Sequence, residues 1–269
     1  MTIEQLPISQ TPLGESRIFR RPILRARNTA DFDAEFYAHI TRYERAAALI
    51  IEQAKLLGRS VRVLDVGCGE LWPLRTLIST FWLKKSSVLS SYIGVDIEKQ
   101  SLDFVGEKLA SSVDIQFHQQ DLTKNHIFKI ESGSIDVVIS LEAIEHMPQK
   151  YVPLWMEDLN RCMRSGAVGF FSTPNLDYAR KQPKYHADYE WGFEDLRILL
   201  ETFWELRLPP VGTFIRRAVF RKANDLHRRI PNELVALFNQ RFGPAALRNI
   251  LAVPYPEYSE NVCWWAYKL

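Results

Sequence analysis

Five short β-rich runs alternate with helical stretches through the middle of the chain, and that alternation leaves few architectures open. The runs are VRVLDV (61–66), SYIGVD (91–96), VDIQFH (113–118), IDVVIS (135–140) and AVGFFS (167–172). Between them lie PLRTLISTFW (73–82), EKQSLDFVGEKLA (98–110) and QKYVPLWMEDLNRCMR (149–164). Ahead of them, Phe36, Ile40, Tyr43, Ala47, Ile50 and Ile51 recur at helical spacing within 33–57. Strands joined through helices need right-handed crossovers, which predicts an α/β fold with a doubly wound, mostly parallel sheet.

The rhythm changes after residue 190. FEDLRILLETF (193–203) reads as a helix, WELRLP (204–209) as a strand, about 213–229 as a basic helix, and PNELVALFNQRF as a helix opened by proline. NVCWWAYKL closes the chain as an aromatic strand. The expected organisation is a basic arm at 1–30, a core made of 31–210 and 253–269, and a helical insert or lid at 211–252.

Composition removes several classes. With 269 residues and 46% hydrophobic content, the chain can build a core and is not a disordered polymer. Lysine and arginine total 34 against 32 acidic residues, so overall charge does not select a partner. No apolar stretch approaches the roughly 20 residues of a membrane span, and the first residues lack the pattern of a signal peptide. Cys68, Cys162 and Cys263 are far apart, which suits a reducing compartment rather than a disulfide scaffold. The expectation is a cytoplasmic protein with no membrane partner.

VLDVGCGE (63–70) sets a buried strand directly before a glycine turn and a helix. Gly67 and Gly69 allow a sharp bend and close approach of a ligand, and amides at the helix start favour a negative group. A dinucleotide fingerprint needs a third small residue where helix packs on strand. Trp72 and Pro73 follow here, so that reading loses ground. Asp96 ends the second run, and Asp121-Leu122 follows the third. A carboxylate at Asp96 can accept both hydroxyls of a ribose, and Asp121 can accept from an adenine amino group. Each aspartate taken singly is better read as a cap or turn residue. As an ordered set, Asp65, Asp96 and Asp121 fall where open α/β sheets bind ligands.

A second constellation, SLEAIEHM (140–147), follows the fourth run. If Glu142 opens a helical turn, Glu142, Glu145 and His146 share one face. Two carboxylates beside an imidazole suit a divalent cation with oxygen-rich ligation, magnesium or manganese. The same spacing suits acidic residues at a helix start.

The chain resembles the class I S-adenosylmethionine-dependent methyltransferases in VLDVGCG (63–69), GVDI (94–97), QDL (120–122) and FSTPN (171–175). The resemblance implies a seven-stranded Rossmann-like sheet whose last strand is antiparallel. It also implies S-adenosylmethionine as cofactor, with Asp65, Gly67, Cys68 and Gly69 at its methionine part. Asp96 and Ile97 would then lie at the ribose, Asp121 and Leu122 at the adenine, and Leu141 nearby. The E-x-x-E-H pattern is similar to small-RNA 3′-terminal 2′-O-methyltransferases and to ubiquinone-pathway O-methyltransferases. In the small-RNA group a later histidine joins the motif, ahead of an aromatic-Glu-Trp triplet. His186 and Tyr189-Glu190-Trp191 match that pattern.

By this resemblance Glu142, Glu145, His146 and His186 hold Mg²⁺ or Mn²⁺, and the metal activates an acceptor hydroxyl. Without a metal, His146 acts as general base beside Glu145. Segment 213–230 carries six Lys or Arg against one Asp. Ile215, Val219, Leu226 and Ile230 are expected inward, and Arg216, Arg217, Arg221, Arg228 and Arg229 outward. These features favour O-methylation of an RNA or nucleotide acceptor. A small-molecule acceptor is the alternative, and an inactive methyltransferase fold used as a binding module is the rival of another class.

Overall fold

The computed structural model describes residues 34–79, 88–99, 102, 112–124, 128–178 and 191–269. Helix α1 (Ala34–Leu57) leads into β1 (Val61–Val66). Then follow α2 (Trp72–Ser79), β2 (Leu89–Asp96), β3 (Asp114–Gln119) and β4 (Ile135–Leu141). The chain continues through α3 (Val152–Cys162), β5 (Met163–Pro174), α4 (Phe193–Phe203), β6 (Val211–Thr213), α5 (Arg217–His227), α6 (Asn232–Ala252) and β7 (Asn261–Tyr267).

All seven strands join one sheet in the order β3-β2-β1-β4-β5-β7-β6. The pairs β3–β2, β2–β1, β1–β4 and β4–β5 are parallel, whereas β7 runs antiparallel to both β5 and β6. The order reverses at β1, so β1 and β4 diverge to opposite connections and leave a crevice at their carboxyl ends.

Side-chain alternation along each strand supplies two core layers. Leu64 and Val66 of β1 face Trp155, Leu159, Leu196 and Leu200 of α3 and α4. Val61 and Val63 face Ala46, Ile50, Leu74 and Leu77 of α1 and α2. At the amino edge of the sheet the fully buried Asp136 is clamped by Arg59, at 2.7 and 3.0 Å, and by the amide of Arg62. Trp264 and Trp265 alternate between the two layers, against Phe193 and Phe170, so both are core residues.

WELRLP does not form the expected strand. Only Glu205 pairs, as an isolated bridge to Tyr267. Pro209 and Pro210 offer no amide to a ladder, and pairing with β7 resumes at Val211. The residues after β6 form a small lobe with its own core of Ile215, Phe220, Leu251 and Tyr255. Leu226, expected inward, is 70% exposed, and Phe220 and Ala223 are buried in its stead. Gly243, at φ 76°, breaks α6. Among the described residues no helix is long and apolar enough to cross a membrane.

Candidate active site

The glycine turn is held from below by β2. The amides of Gly67 and Cys68 both donate to the carbonyl of Val95, at 2.9 and 3.1 Å. The Gly69 amide donates to Oδ2 of Asp96 at 2.8 Å, and the Glu98 amide donates to Oδ1 at 3.0 Å. The amides of Gly67, Cys68 and Gly69 therefore secure the turn to β2. Gly67 (φ 67°) and Gly69 (φ 46°) both lie in the left-handed region that disfavours a side chain. A Cβ at Gly67 would come within 2.4 Å of the Ala143 Cβ, whereas a Cβ at Gly69 would meet nothing within 4 Å. Gly69 thus faces open space, and Gly67 abuts the loop after β4.

Asp65 is buried beneath this turn and accepts a hydrogen bond from the Tyr92 hydroxyl at 2.5 Å. Burial pushes its carboxyl up to about 7, reinforced by the charge of Asp96 and opposed by the Tyr92 bond. Cys68 contributes its amide to the turn, and its thiol donates to the Gly69 carbonyl at 3.7 Å. Its thiol packs in the core beside Gly94, and burial raises it well above the ordinary thiol range. Ile97 is exposed just past β2, Leu122 packs on one core layer and Leu141 on the other. Asp121 closes its own turn, accepting from the Thr123 amide and hydroxyl and pairing with Lys124 at 2.8 Å. The donor set fits a nucleoside with a short cationic tail. Asp96 is a carboxylate fixed by two amides, Gly69 borders open space, and Asp65 stands underneath.

The E-x-x-E-H segment does not form the expected helical face. Glu142 has a left-handed backbone (φ 54°), and a 3₁₀ turn begins only at Ile144 and spans Ile144–His146. The i, i+3, i+4 alignment of an α-helix is therefore lost. Glu142 Oε1 accepts from the Ser172 hydroxyl at 2.9 Å, and Oε2 accepts from the Asn261 side-chain amide at 2.6 Å. Glu145 is 2% exposed and accepts from Thr173 at 3.1 Å. Burial and the neighbouring Glu142 charge raise its carboxyl well above the usual range. His146 is exposed, and among the described residues its ring bonds to neither glutamate. Among the described residues no three His, Cys, Asp or Glu groups converge on a metal position. Among the described residues, Glu142, Glu145 and His146 therefore do not form a metal position by themselves, and the His146 ring is not hydrogen-bonded to Glu145. His186 lies outside the described residues, as do Tyr185, Tyr189, Glu190 and the 1–30 arm.

Arg42 of α1 carries no sequence signal for the site, yet it reaches the same place. It is 2% exposed, with Nη1 3.9 Å from Glu142 Oε1 and 3.4 Å from the Thr213 hydroxyl. Its Nη2 lies 2.7 Å from His39 Nδ1. Burial, then Arg42, lowers the His39 pKa, so a neutral ring accepts from the guanidinium. Tyr43 stacks on Trp72 at 5.9 Å. Trp72 therefore packs against α1, and buried Leu71 fills the slot beside Gly94.

The basic lobe is less free than expected. Arg216 pairs with Glu260 at 2.6 Å and donates to the Tyr178 carbonyl. Arg229 pairs with Glu257 at 2.9 Å. Arg217, Arg221, Lys222 and Arg228 are exposed.

The ubiquinone biosynthesis O-methyltransferase of Nitrosococcus oceani is 27% identical over 207 residues, 77% of this chain and 71% of the relative. A Burkholderia thailandensis 1,6-didemethyltoxoflavin-N1-methyltransferase shares the fold with a TM-score of 0.52 at 12% identity. The match covers 84% of this chain and 78% of that one. The methyltransferase domain model matches residues 37–223, from α1 through β1–β6 and into α5. The chain therefore belongs to the methyltransferase domain family.

Proposed function

We propose that the protein transfers the methyl group of S-adenosylmethionine to a hydroxyl of a small-molecule acceptor held against Glu142. The observation that carries this reading is the contact of Gly67 with Ala143, which sets the cofactor turn one residue from Glu142. The O-directed activity of the Nitrosococcus relative supports the choice of acceptor atom. Asp96 would take the ribose hydroxyls, Asp65 the methionine end, and Asp121 with Leu122 the adenine side.

Held by Asp65, Asp96 and Asp121, the cofactor would supply a methyl activated on a sulfonium, with a neutral thioether as its leaving group. Glu142 accepts the O–H of the acceptor and fixes its oxygen, the kind of positioning that can contribute several kcal/mol. As the new C–O bond forms and the C–S bond breaks, the hydroxyl proton passes to Glu142 or to solvent. Ser172 and Asn261 hold the carboxylate in place throughout. The lobe at 211–252 borders this edge through Asn261, which pairs with Thr213, and serves as its cover.

The exposed Arg217, Arg221, Lys222 and Arg228 favour a second reading, an RNA or nucleotide acceptor. A tritiated-methyl transfer screen over phenols, nucleotides and short RNA separates the two. Label on phenols alone is the expected result. Label on RNA that vanishes with added salt would install the second reading. No label and no S-adenosylmethionine binding by calorimetry would leave a binding module.

A further inference from the structure

We propose that the Glu142–Glu145 pair takes its balancing positive charge from Arg42, and that this wall of the site works without a divalent cation. The inference rests on the crevice being the methyl-transfer site. Two neighbouring carboxylates, one of them 2% exposed, are costly in a dry setting unless a positive charge or hydrogen-bond donors oppose them. Arg42 supplies that charge from a different element. Its guanidinium is buried; Nη1 sits 3.9 Å from Glu142 and donates to Thr213, and Nη2 is steadied by His39.

Both oxygens of Glu142 already accept a hydrogen bond, as does Oε2 of Glu145. A small divalent ion needs several oxygen or nitrogen ligands aimed at one point, at about 2.0–2.2 Å. An ion on Glu142 Oε1 would also share that oxygen with a buried guanidinium, placing like charges together where screening is weak. Arg42 is thus a positioning residue, set against the carboxylate that takes the acceptor.

The test uses the full chain, purified through EDTA. Mn²⁺ is titrated in while the free ion is followed by electron paramagnetic resonance, and S-adenosylmethionine affinity is measured by calorimetry with and without chelator. Expected are no depletion of free Mn²⁺ and an affinity unchanged within about twofold. Stoichiometric Mn²⁺ uptake that Glu142→Gln abolishes would overturn the proposal. A thermal double-mutant cycle over Arg42→Met and Glu142→Gln should show the double variant losing less than the sum of the singles, with Arg42→Lys restoring part of the loss. Additive losses would overturn it too. If Arg42→Met does not fold, the cycle is run with Arg42→Lys under the same criterion. Loss of S-adenosylmethionine binding would instead sink the methyl-transfer reading, and it leaves the cycle intact.

Discussion

The amide of Gly69 and the carboxylate of Asp96, 27 positions apart in sequence, meet at 2.8 Å across the top of β1 and β2. The bond links the glycine turn to the group proposed for the ribose, so neither can shift alone. Asp96→Ala removes a charged acceptor worth about 1.5–3 kcal/mol. The expected result is roughly 10- to 100-fold weaker S-adenosylmethionine binding by calorimetry. Asp96→Asn should fall between wild type and Asp96→Ala.

The two turn glycines should respond differently to alanine. Both pay the left-handed backbone cost of about 1–2 kcal/mol. At Gly67 the added Cβ also strikes the Ala143 Cβ, 2.4 Å away, so Gly67→Ala should be the less stable in chemical denaturation. Gly69→Ala faces open space and should lose more cofactor affinity per unit of stability lost.

Asp65 predicts a pH dependence. Burial raises its carboxyl to about 7, so between the ordinary carboxylate range and neutrality the folded chain keeps a proton that the unfolded chain has released. Stability from this group is therefore present at low pH and is lost as pH rises towards and through about 7. Denaturant titrations at mildly acidic and mildly alkaline pH should show wild type losing roughly 2–4 kcal/mol more than Asp65→Asn. Parallel losses in the two proteins would contradict the assignment.

At the opposite edge, Asp136→Ala strands Arg59 and removes the acceptor of the Arg62 amide. Breaking a buried pair from one side costs about 3–5 kcal/mol, reduced here because Arg59 is 42% exposed. A drop in melting temperature with near-wild-type cofactor affinity is the expected pattern, since the clamp lies far from the crevice.

His146→Ala tests the exposed imidazole. Its solvent-facing position predicts an unchanged melting temperature. With Glu142 as proton acceptor, methyl transfer should fall far less in His146→Ala than in Glu142→Gln. The reverse order would return the base role to His146.

The parallel sheet, the glycine turn and the strand-end acids are legible in the chain because each is local. A run of β-branched residues, a pair of glycines and an acid two or three positions on fix their own geometry through backbone sterics and side-chain period. The E-x-x-E-H segment was not legible in that way. Its spacing is the same whether it forms an α-turn or follows a left-handed Glu142, and only packing against Ser172 and Asn261 selects the second. Arg42 leaves no trace at all in sequence, since it lies 100 residues from Glu142 and meets it only when α1 folds over β4, β5 and β6. Buried charge is decided by what arrives from elsewhere in the fold: the desolvation of Glu142 and Glu145, and the guanidinium that answers it, exist only in the assembled molecule.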